Sequence, residues 1–158
     1  MATLERAIEI AKQAHADQVD KGGADYIGHP LRVMEMCETE EEKIVGILHD
    51  VVEDSDWTFE MLEAEGFSQE IIDALKCVTK LSKDEAYDEF IKRVMRNELA
   101  MRVKVKDLED NLDLSRITDV TQIDIERGEK YYAAHDKLTT ILEYLDLVKL
   151  SVECECHC

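Results

Sequence analysis

The amino-acid sequence predicts a compact all-helical bundle. The chain of 158 residues contains one proline and six glycines, the two residue types that most often interrupt helices. Its charged residues alternate with Leu, Ile, Val, Met and Ala at helical intervals, and no segment keeps the two-residue alternation of a strand for more than a few residues. A chain of this length can bury one hydrophobic core, so residues 1–150 are expected to form a single domain.

The N-terminal part of the chain predicts two helices joined by a glycine-rich loop. An apolar stripe from Leu4 to His15 indicates an amphipathic helix, and we interpret His15 as a buried, hydrogen-bonded histidine. Pro30 marks the start of the second helix, because proline is accommodated at the first helical position. This assignment leaves His29 at or near the N-cap, with its ring free to point into a cleft.

Capping signals predict the helices of the central part. Thr39 to Glu42 and Ser82 to Glu85 both fit the capping-box pattern. The first box opens a helix that ends in a His-Asp pair, and the second opens a helix through Val94. Thr58 and Ser68 are candidate N-caps of two short helices that lie between the helices opened by these two boxes.

Two longer helices are predicted in the C-terminal half, over about residues 99–114 and about residues 123–150. The last helix presents an apolar face inward, formed by Leu138, Ile141, Leu142, Leu145 and Val148. Residues 151–158 are expected to be a cysteine-rich tail outside the domain. We interpret its cluster as an end-of-chain tail or cloning remnant, with a soft-metal site as the alternative. The cluster consists of Cys154, Cys156, His157 and Cys158.

Composition excludes several classes of partner. The formal charge is -18 at pH 7, which argues against nucleic acid but leaves a small phosphorylated substrate possible if a metal and local cations offset the repulsion. No apolar run reaches membrane-spanning length and the N-terminus lacks a signal-peptide core, so we expect a soluble cytoplasmic protein. Cys37 and Cys77 lie on apolar helical faces and are expected to be reduced core residues. The sequence leaves the oligomeric state open.

A cluster of ionisable residues follows the aliphatic run Ile44–Leu48. His49, Asp50, Glu53 and Asp54 place one nitrogen ligand and three carboxylates within two helical turns, and at helical spacing they form two adjacent columns on one face. Each desolvated carboxylate costs several kcal/mol unless a cation neutralises it, and a divalent metal would do so. The alternative is a solvated acidic helix end, which explains Glu53 and Asp54 but not a His-Asp pair inside an aliphatic stretch.

Four candidate metal ligands lie on three predicted helices: His29, His49, Asp50 and Asp107. Two imidazoles and two carboxylates suit manganese, iron or zinc better than magnesium, which prefers oxygen ligands. A metal held in this way lowers the pKa of bound water and polarises a phosphoryl group. Glu53 and Asp54 are placed to handle the proton of that water or of the leaving group.

Three motifs, in this order, carry a resemblance to a known family: Tyr26-Ile27-Gly28-His29-Pro30, then His49-Asp50-Val51-Val52-Glu53-Asp54, then Val103-Lys104-Val105-Lys106-Asp107 with Asn111. In this pattern the chain resembles the HD-superfamily metal-dependent phosphohydrolases. More closely, it resembles the hydrolase domain of RelA/SpoT-type enzymes and the single-domain small alarmone hydrolases. The similarity extends over about residues 10–116, and the stretch from Ala14 to Gln18 matches the family's opening helix.

The resemblance implies an HD-domain helical bundle with one metal ion, Mn²⁺ first and Zn²⁺ or Fe²⁺ as alternatives. The implied ligands are His29, His49, Asp50 and Asp107. It also implies that Glu53 and Asp54 are the catalytic carboxylates, and that the reaction removes the 3′-pyrophosphate from (p)ppGpp.

The same resemblance implies a set of substrate contacts. Lys21 would contact phosphate or the base, and Asn111 would orient the substrate near the metal. Arg127, Lys130 and Tyr131 resemble a late phosphate-binding helix. Each of these residues has the plain alternative of a solvated surface position.

Two positions depart from the pattern of the relatives. Asp20 stands where they usually carry an arginine before the lysine, and Asp113 stands where they carry an arginine two places after the asparagine. Carboxylates cannot replace bidentate guanidinium–phosphate contacts. The substrate therefore stays open between (p)ppGpp and another nucleotide, such as a nucleoside triphosphate or the 2′-phosphate of NADPH. A nucleotide- or metal-sensing module without turnover is the alternative from another functional class.

Overall fold

The computed structural model describes residues 1–156, which form helices and connecting loops. The helices are α1 (Leu4–Ala14), α2 (Gly28–Met36), α3 (Glu40–Leu48), α4 (Val51–Asp54), α5 (Phe59–Glu65), α6 (Gln69–Val78), α7 (Tyr87–Val94), α8 (Glu98–Leu112) and α9 (Gln122–Glu155). A 3-10 helix at Leu114–Arg116 joins α8 to α9. Over these 156 residues no strand forms, and the predicted all-α fold is confirmed.

Side-chain caps fix the starts of several helices. The capping box predicted at Thr39 forms: its hydroxyl accepts from the Glu42 N–H, and the Glu42 carboxylate accepts from the Thr39 N–H. Thr58 and Ser68 cap α5 and α6, as predicted. Helix α2 begins at Gly28, so His29 lies in its first turn.

The capping box predicted at Ser82 to Glu85 is wrong, because α7 begins only at Tyr87. The Glu85 carboxylate binds Arg93 instead, with Nε at 2.9 Å and Nη2 at 2.8 Å, and also accepts from the Leu81 N–H. A bidentate bond to a guanidinium is stronger than a bond to a neutral amide. Arg93 therefore competes successfully for the carboxylate that would have closed the box.

Helix α3 lies at the centre of the bundle, in contact with α1, α2, α6 and α8. Its residues from Ile44 to Leu48 are all buried, which explains the unbroken aliphatic run in the sequence. At Gly46, an added Cβ would already lie 3.4 Å from the backbone of Met34 on α2. A side chain at Gly46 would therefore be in tight contact with α2. The buried end of α3 places the following residue, His49, in the protein interior.

Helices α8 and α9 pack antiparallel along their length. His135 of α9 pairs with Glu109 near the end of α8, whereas Lys149 pairs with Glu98 at its first turn. Leu138 and Leu142 are buried between them.

The predicted inward position of Val148 is wrong, since this side chain is 41% exposed. Its neighbour Lys149 already contacts Glu98, the first residue of α8, so α8 provides no further residues to cover it. Helix α9 continues through Glu155, and the predicted domain end at residue 150 stays a prediction. Of the terminal cluster, Cys154 and Cys156 are exposed, and His157 and Cys158 lie outside the described residues.

Both cysteines that were predicted to be reduced are free thiols. Cys37 is buried and Cys77 is half-buried. Burial raises the pKa of the Cys37 thiol to about 12, which keeps it protonated at neutral pH. No helix of the described part of the chain is long and apolar enough to cross a membrane.

We expect Ile47→Ala to lower the free energy of unfolding by about 2–5 kcal/mol, because it leaves a cavity where α3 is fully buried. Urea denaturation followed by circular dichroism measures the change. The control is Ile123→Ala, at a side chain that is 66% exposed, which should change stability by less than about 0.5 kcal/mol. Equal effects of the two variants would contradict a central position for α3.

Candidate active site

The His-Asp pair lies at a break between two helices. Helix α3 ends at Leu48 with His49 as its C-cap, and Asp50, with φ −103° and ψ −2°, is the N-cap of α4. The helix end predicted at the His-Asp pair is therefore confirmed, whereas the placement of Glu53 and Asp54 one turn along the same helix is wrong, because they lie on α4. His49 and Asp50 thus lie next to each other at the junction, and α4 begins as a separate helix at Val51.

The four predicted ligands converge on one point from α2, the α3–α4 junction and α8. The Nε2 atom of His29 lies 3.0 Å from Oδ1 of Asp107, and Nε2 of His49 lies 3.0 Å from Oδ2 of Asp50. The two Nε2 atoms are 3.2 Å apart. His29, His49 and Asp50 meet the distance requirements of a metal site, and Asp107 contacts both imidazoles.

The opposite nitrogen of each imidazole is held by an acceptor. Nδ1 of His49 lies 2.6 Å from the Gly46 carbonyl, and Nδ1 of His29 lies 2.7 Å from Oδ2 of Asp110. A carbonyl oxygen can only accept, so Nδ1 of His49 carries a hydrogen, and in the neutral form of the ring, which binds metals, the Nε2 lone pair would point into the cluster. Metal-binding histidines are oriented in the same way, and this donor set fits a divalent metal.

The charges of the four candidate ligands favour a bound cation. Burial alone would lower the pKa of His49, but the charges of Asp50 and Asp107 outweigh it and raise that pKa well above its ordinary value. Burial alone would raise the pKa of Asp107, yet the charges of Lys104 and His49 hold it well below its usual range. Positive charge is thus strongly favoured at this point, as it would be at a metal site.

Three residues to which the sequence analysis assigned no role support the ligands. The Tyr26 hydroxyl donates to Oδ2 of Asp50 at 2.5 Å, and Nζ of Lys104 donates to Oδ2 of Asp107 at 2.6 Å. Asp110, which orients His29, also accepts from Arg32. Two of these could have been found from spacing, because Lys104 and Asp110 lie three residues from Asp107 on one helix.

The two predicted catalytic carboxylates differ in position. Glu53 lines the cleft that contains the four candidate metal ligands, which we call the metal cleft, whereas Asp54 lines only a neighbouring cleft. Partial desolvation and the nearby Asp50 charge raise the pKa of both groups above their ordinary values. Glu53 therefore has more direct access than Asp54 to the space beside the ligands.

The predicted substrate residues divide between two connected clefts. Lys130 lines the metal cleft with its ammonium 4.4 Å from the ring centroid of Tyr87. Asn111 and Tyr131 line both this cleft and a second one of about 290 Å³, which we call the lateral cleft. Lys21 and Arg127 line the lateral cleft alone.

Internal carboxylates neutralise the cations of the lateral cleft. Nζ of Lys21 lies 2.7 Å from Asp124, and Arg127 lies 4.0 Å from the same carboxylate. Arg32 and Arg116 both contact Asp110. Lys21 and Arg127, two of the cations predicted to bind phosphate, are therefore already paired within the protein.

The two departures from the family pattern have local roles. Oδ1 of Asp20 accepts from the N–H groups of Gly22 and Ala24, which shapes the loop after α1. Asp113 accepts from the Ser115 N–H and caps the 3-10 helix. Both residues line the lateral cleft, where their carboxylates add negative charge.

His15 is buried, as predicted, and is hydrogen-bonded through one nitrogen. Its Nδ1 lies 2.8 Å from Oε1 of Gln18, and its ring packs 5.1 Å from that of Tyr26. Its Nε2 has no partner among the described residues. His15 thus supports the ring of Tyr26, which in turn holds Asp50.

We expect Tyr26→Phe to weaken metal binding by about 10- to 100-fold while the fold is kept, because it removes the hydrogen bond that orients Asp50. Competition with a fluorescent chelator measures the affinity. Tyr132→Phe, at an exposed tyrosine of α9, is the matched control. Unchanged affinity in Tyr26→Phe would show that Asp50 needs no such support.

Sequence comparison finds relatives among enzymes of (p)ppGpp metabolism. The guanosine-3′,5′-bis(diphosphate) 3′-pyrophosphohydrolase of Aquifex aeolicus (strain VF5) is 34% identical over 118 residues, covering 70% of this chain and 17% of the relative. A probable GTP pyrophosphokinase of Mycobacterium leprae (strain TN) is 31% identical over 128 residues, covering 73% of this chain and 16% of the relative. The chain thus spans less than a fifth of the length of these relatives. No family model matches the chain.

Structural comparison extends the similarity to most of the chain. The solved structure of a metazoan ortholog of SpoT, described as hydrolysing ppGpp, has a TM-score of 0.69 and 26% sequence identity. The match covers 90% of this chain and 86% of that chain. Since relatedness to (p)ppGpp enzymes and the fold of a SpoT ortholog occur together in one chain, the protein belongs to the HD-type, RelA/SpoT hydrolase-like domains.

Proposed function

We propose that the protein is a metal-dependent pyrophosphohydrolase that removes the 3′-pyrophosphate from (p)ppGpp or a closely similar nucleotide. The names of the Aquifex relative and of the SpoT ortholog support this reaction. The observation that carries the proposal is the convergence of two buried imidazoles and two carboxylates beside a cleft. Such a cluster suits metal-assisted hydrolysis and would be costly in a purely structural core.

The proposed metal is Mn²⁺, held by His29, His49, Asp50 and Asp107. When bound, it would polarise a phosphoryl oxygen and acidify water. The imidazole nitrogens favour a transition metal over Mg²⁺, which prefers oxygen ligands. The hydrogen bonds from Tyr26 and Lys104 would keep the two carboxylates oriented.

The remaining roles follow from where the side chains lie. Glu53, with its raised pKa and its place in the metal cleft, would accept the proton of the attacking water. Asp54 would position that water or the leaving group from the adjoining cleft. Asn111 already donates to Asp107, and its place between two clefts suits it to orient the nucleotide near the metal.

Lys21, Arg127, Lys130 and Tyr131 are the proposed substrate contacts. Lys21 and Arg127 would have to exchange their contacts with Asp124 for contacts with a phosphate. Tyr131 lies 5.8 Å from the Tyr87 ring, and with Lys130 these residues form one wall of the metal cleft. An aromatic and basic wall of this kind suits a nucleotide.

We expect the Mn²⁺-loaded protein to release pyrophosphate from ppGpp and to leave GDP, as separated by anion-exchange chromatography. The variant with His49→Ala and Asp50→Ala should lose the bound metal and the activity together. It should also lose the gain in thermal stability that metal gives the folded state. His135→Ala, which changes a half-buried histidine on α9, is the control and should keep all three properties. Full metal content in the double variant would defeat the ligand assignment.

Glu53→Gln should lower turnover by about 10²- to 10⁴-fold, since the amide keeps the shape but removes the basic oxygen. Asp54→Asn should also lower turnover, while metal content stays near one ion per chain in both. Glu60→Gln, at an exposed carboxylate of α5, serves as the control. Loss of metal from either site variant would instead place that carboxylate among the ligands, and normal turnover would reduce the pair to an acidic helix end.

A second candidate keeps the chemistry and changes the substrate. The paired cations of the lateral cleft favour a nucleotide with less charge than (p)ppGpp, because Asp110 and Asp124 already neutralise them. Assays of the loaded protein with nucleoside triphosphates and NADPH test this candidate against ppGpp. Binding of nucleotide without turnover of any of them would favour a sensing module instead.

A further inference from the structure

The neighbouring cleft that Asp54 lines, which we call the third cleft, shares Glu53 and Lys80 with the metal cleft. It has a volume of about 820 Å³ and is bounded by the ends of α4 and α6, the start of α5 and the loop that joins α6 to α7. Phe59 and Leu81 add two large apolar side chains to its lining. None of the substrate residues proposed above lines this cleft.

The lining of this third cleft is basic although the protein as a whole is acidic. Its basic side chains are Lys76, Lys80, Lys83, Arg93 and Arg96. Its acidic side chains are only Glu53 and Asp54, whereas the whole chain has 19 basic and 37 acidic residues. Charges more than about 8 Å away are largely screened at physiological ionic strength, so the local excess decides which ligands enter.

Three of these cations form no direct ion pair within the described residues. Within residues 1–156, the side chains of Lys80, Lys83 and Arg96 form no hydrogen bond and no ion pair. The lateral cleft differs, since its Lys21 and Arg32 are paired with aspartates. Uncompensated positive charge in a cleft favours an anionic ligand.

Arg93 holds the wall of the third cleft in place. Its guanidinium donates to the carbonyls of Lys76 at 2.8 Å and Thr79 at 2.9 Å, and to both oxygens of Glu85. These bonds tie α7 to the end of α6 and to both ends of the loop that carries Lys80 and Lys83. A loop fixed in this way loses less conformational freedom when a ligand binds.

We propose that the third cleft is a binding site for a diphosphate group, held by Lys83 and Arg96. Lys80 lines both clefts and would contact a diphosphate that moves from the metal cleft to the third cleft. The choice of diphosphate rests on the proposed function, because that reaction releases pyrophosphate into a cleft that shares Glu53 with this one. Three unpaired cations suit a small, multiply charged anion.

The test is calorimetric titration of the full chain with inorganic pyrophosphate in the presence of EDTA, so that no metal takes part. The dissociation constant should rise at least about tenfold, or ~1.4 kcal/mol, in the variant with Lys83→Gln and Arg96→Gln. Both side chains are exposed, and an unchanged thermal transition checks that the variant is folded. Lys92→Gln on α7 is the control for a general charge effect, since it removes one positive charge from an exposed position outside the cleft.

The proposal is overturned if pyrophosphate does not saturate the wild-type protein, if the double variant binds as well as wild type, or if Lys92→Gln weakens binding equally. A parallel titration with GDP identifies the source of the diphosphate. Binding of pyrophosphate alone assigns the cleft to the released product, and binding of both assigns it to any diphosphate end. Binding of GDP alone would mean that the nucleoside is recognised, which also overturns the proposal.

These results are independent of turnover. A protein that hydrolyses ppGpp but fails the titration loses only the diphosphate site. A protein that passes the titration but hydrolyses no nucleotide loses only the proposed function.

Discussion

The burial of Asp107 inside a helical bundle is the constraint on which the rest of the site depends. An uncompensated carboxylate that is 4% exposed would cost several kcal/mol. Lys104 contacts one of its oxygens, and Asn111 with the two imidazoles contacts the other. Lys104 and Asn111 lie on α8 with Asp107, whereas the two imidazoles come from α2 and from the end of α3, so the full set of contacts forms only when the three helices meet. Packing of these helices and assembly of the candidate metal site are therefore coupled.

Much of this arrangement could be predicted from the sequence, because it rests on local patterns. The aliphatic run in α3, the cap at Thr39 and the HD-type motifs each lie within a few neighbouring residues. The remaining features depend on contacts across the chain. Arg93 takes Glu85 away from a cap, and Lys21 meets a partner 103 residues away. The sequence predicts the helix end at the His-Asp pair, but not that a separate short helix begins at Val51 and carries Glu53 and Asp54.

The electrostatic design of the molecule is uneven around the metal centre. On one side, the lateral cleft pairs each of its cations with an aspartate, and Asp20 and Asp113 add negative charge. On the other side, the third cleft leaves cations unpaired. An anion near Glu53 therefore experiences a potential that becomes more favourable in one direction, even though the net charge of the protein is -18. The local distribution of charge, rather than the net charge, therefore determines where a phosphorylated molecule is attracted.

Gly46 links helix packing to coordination chemistry. Its missing side chain allows α2, which carries His29, to lie against α3, and its carbonyl fixes the ring of His49. A residue that is not itself a candidate ligand thus touches both the helix that carries His29 and the ring of His49. A larger side chain at this position would press against Met34 of α2. The interior of the bundle therefore contributes to the placement of the candidate ligands.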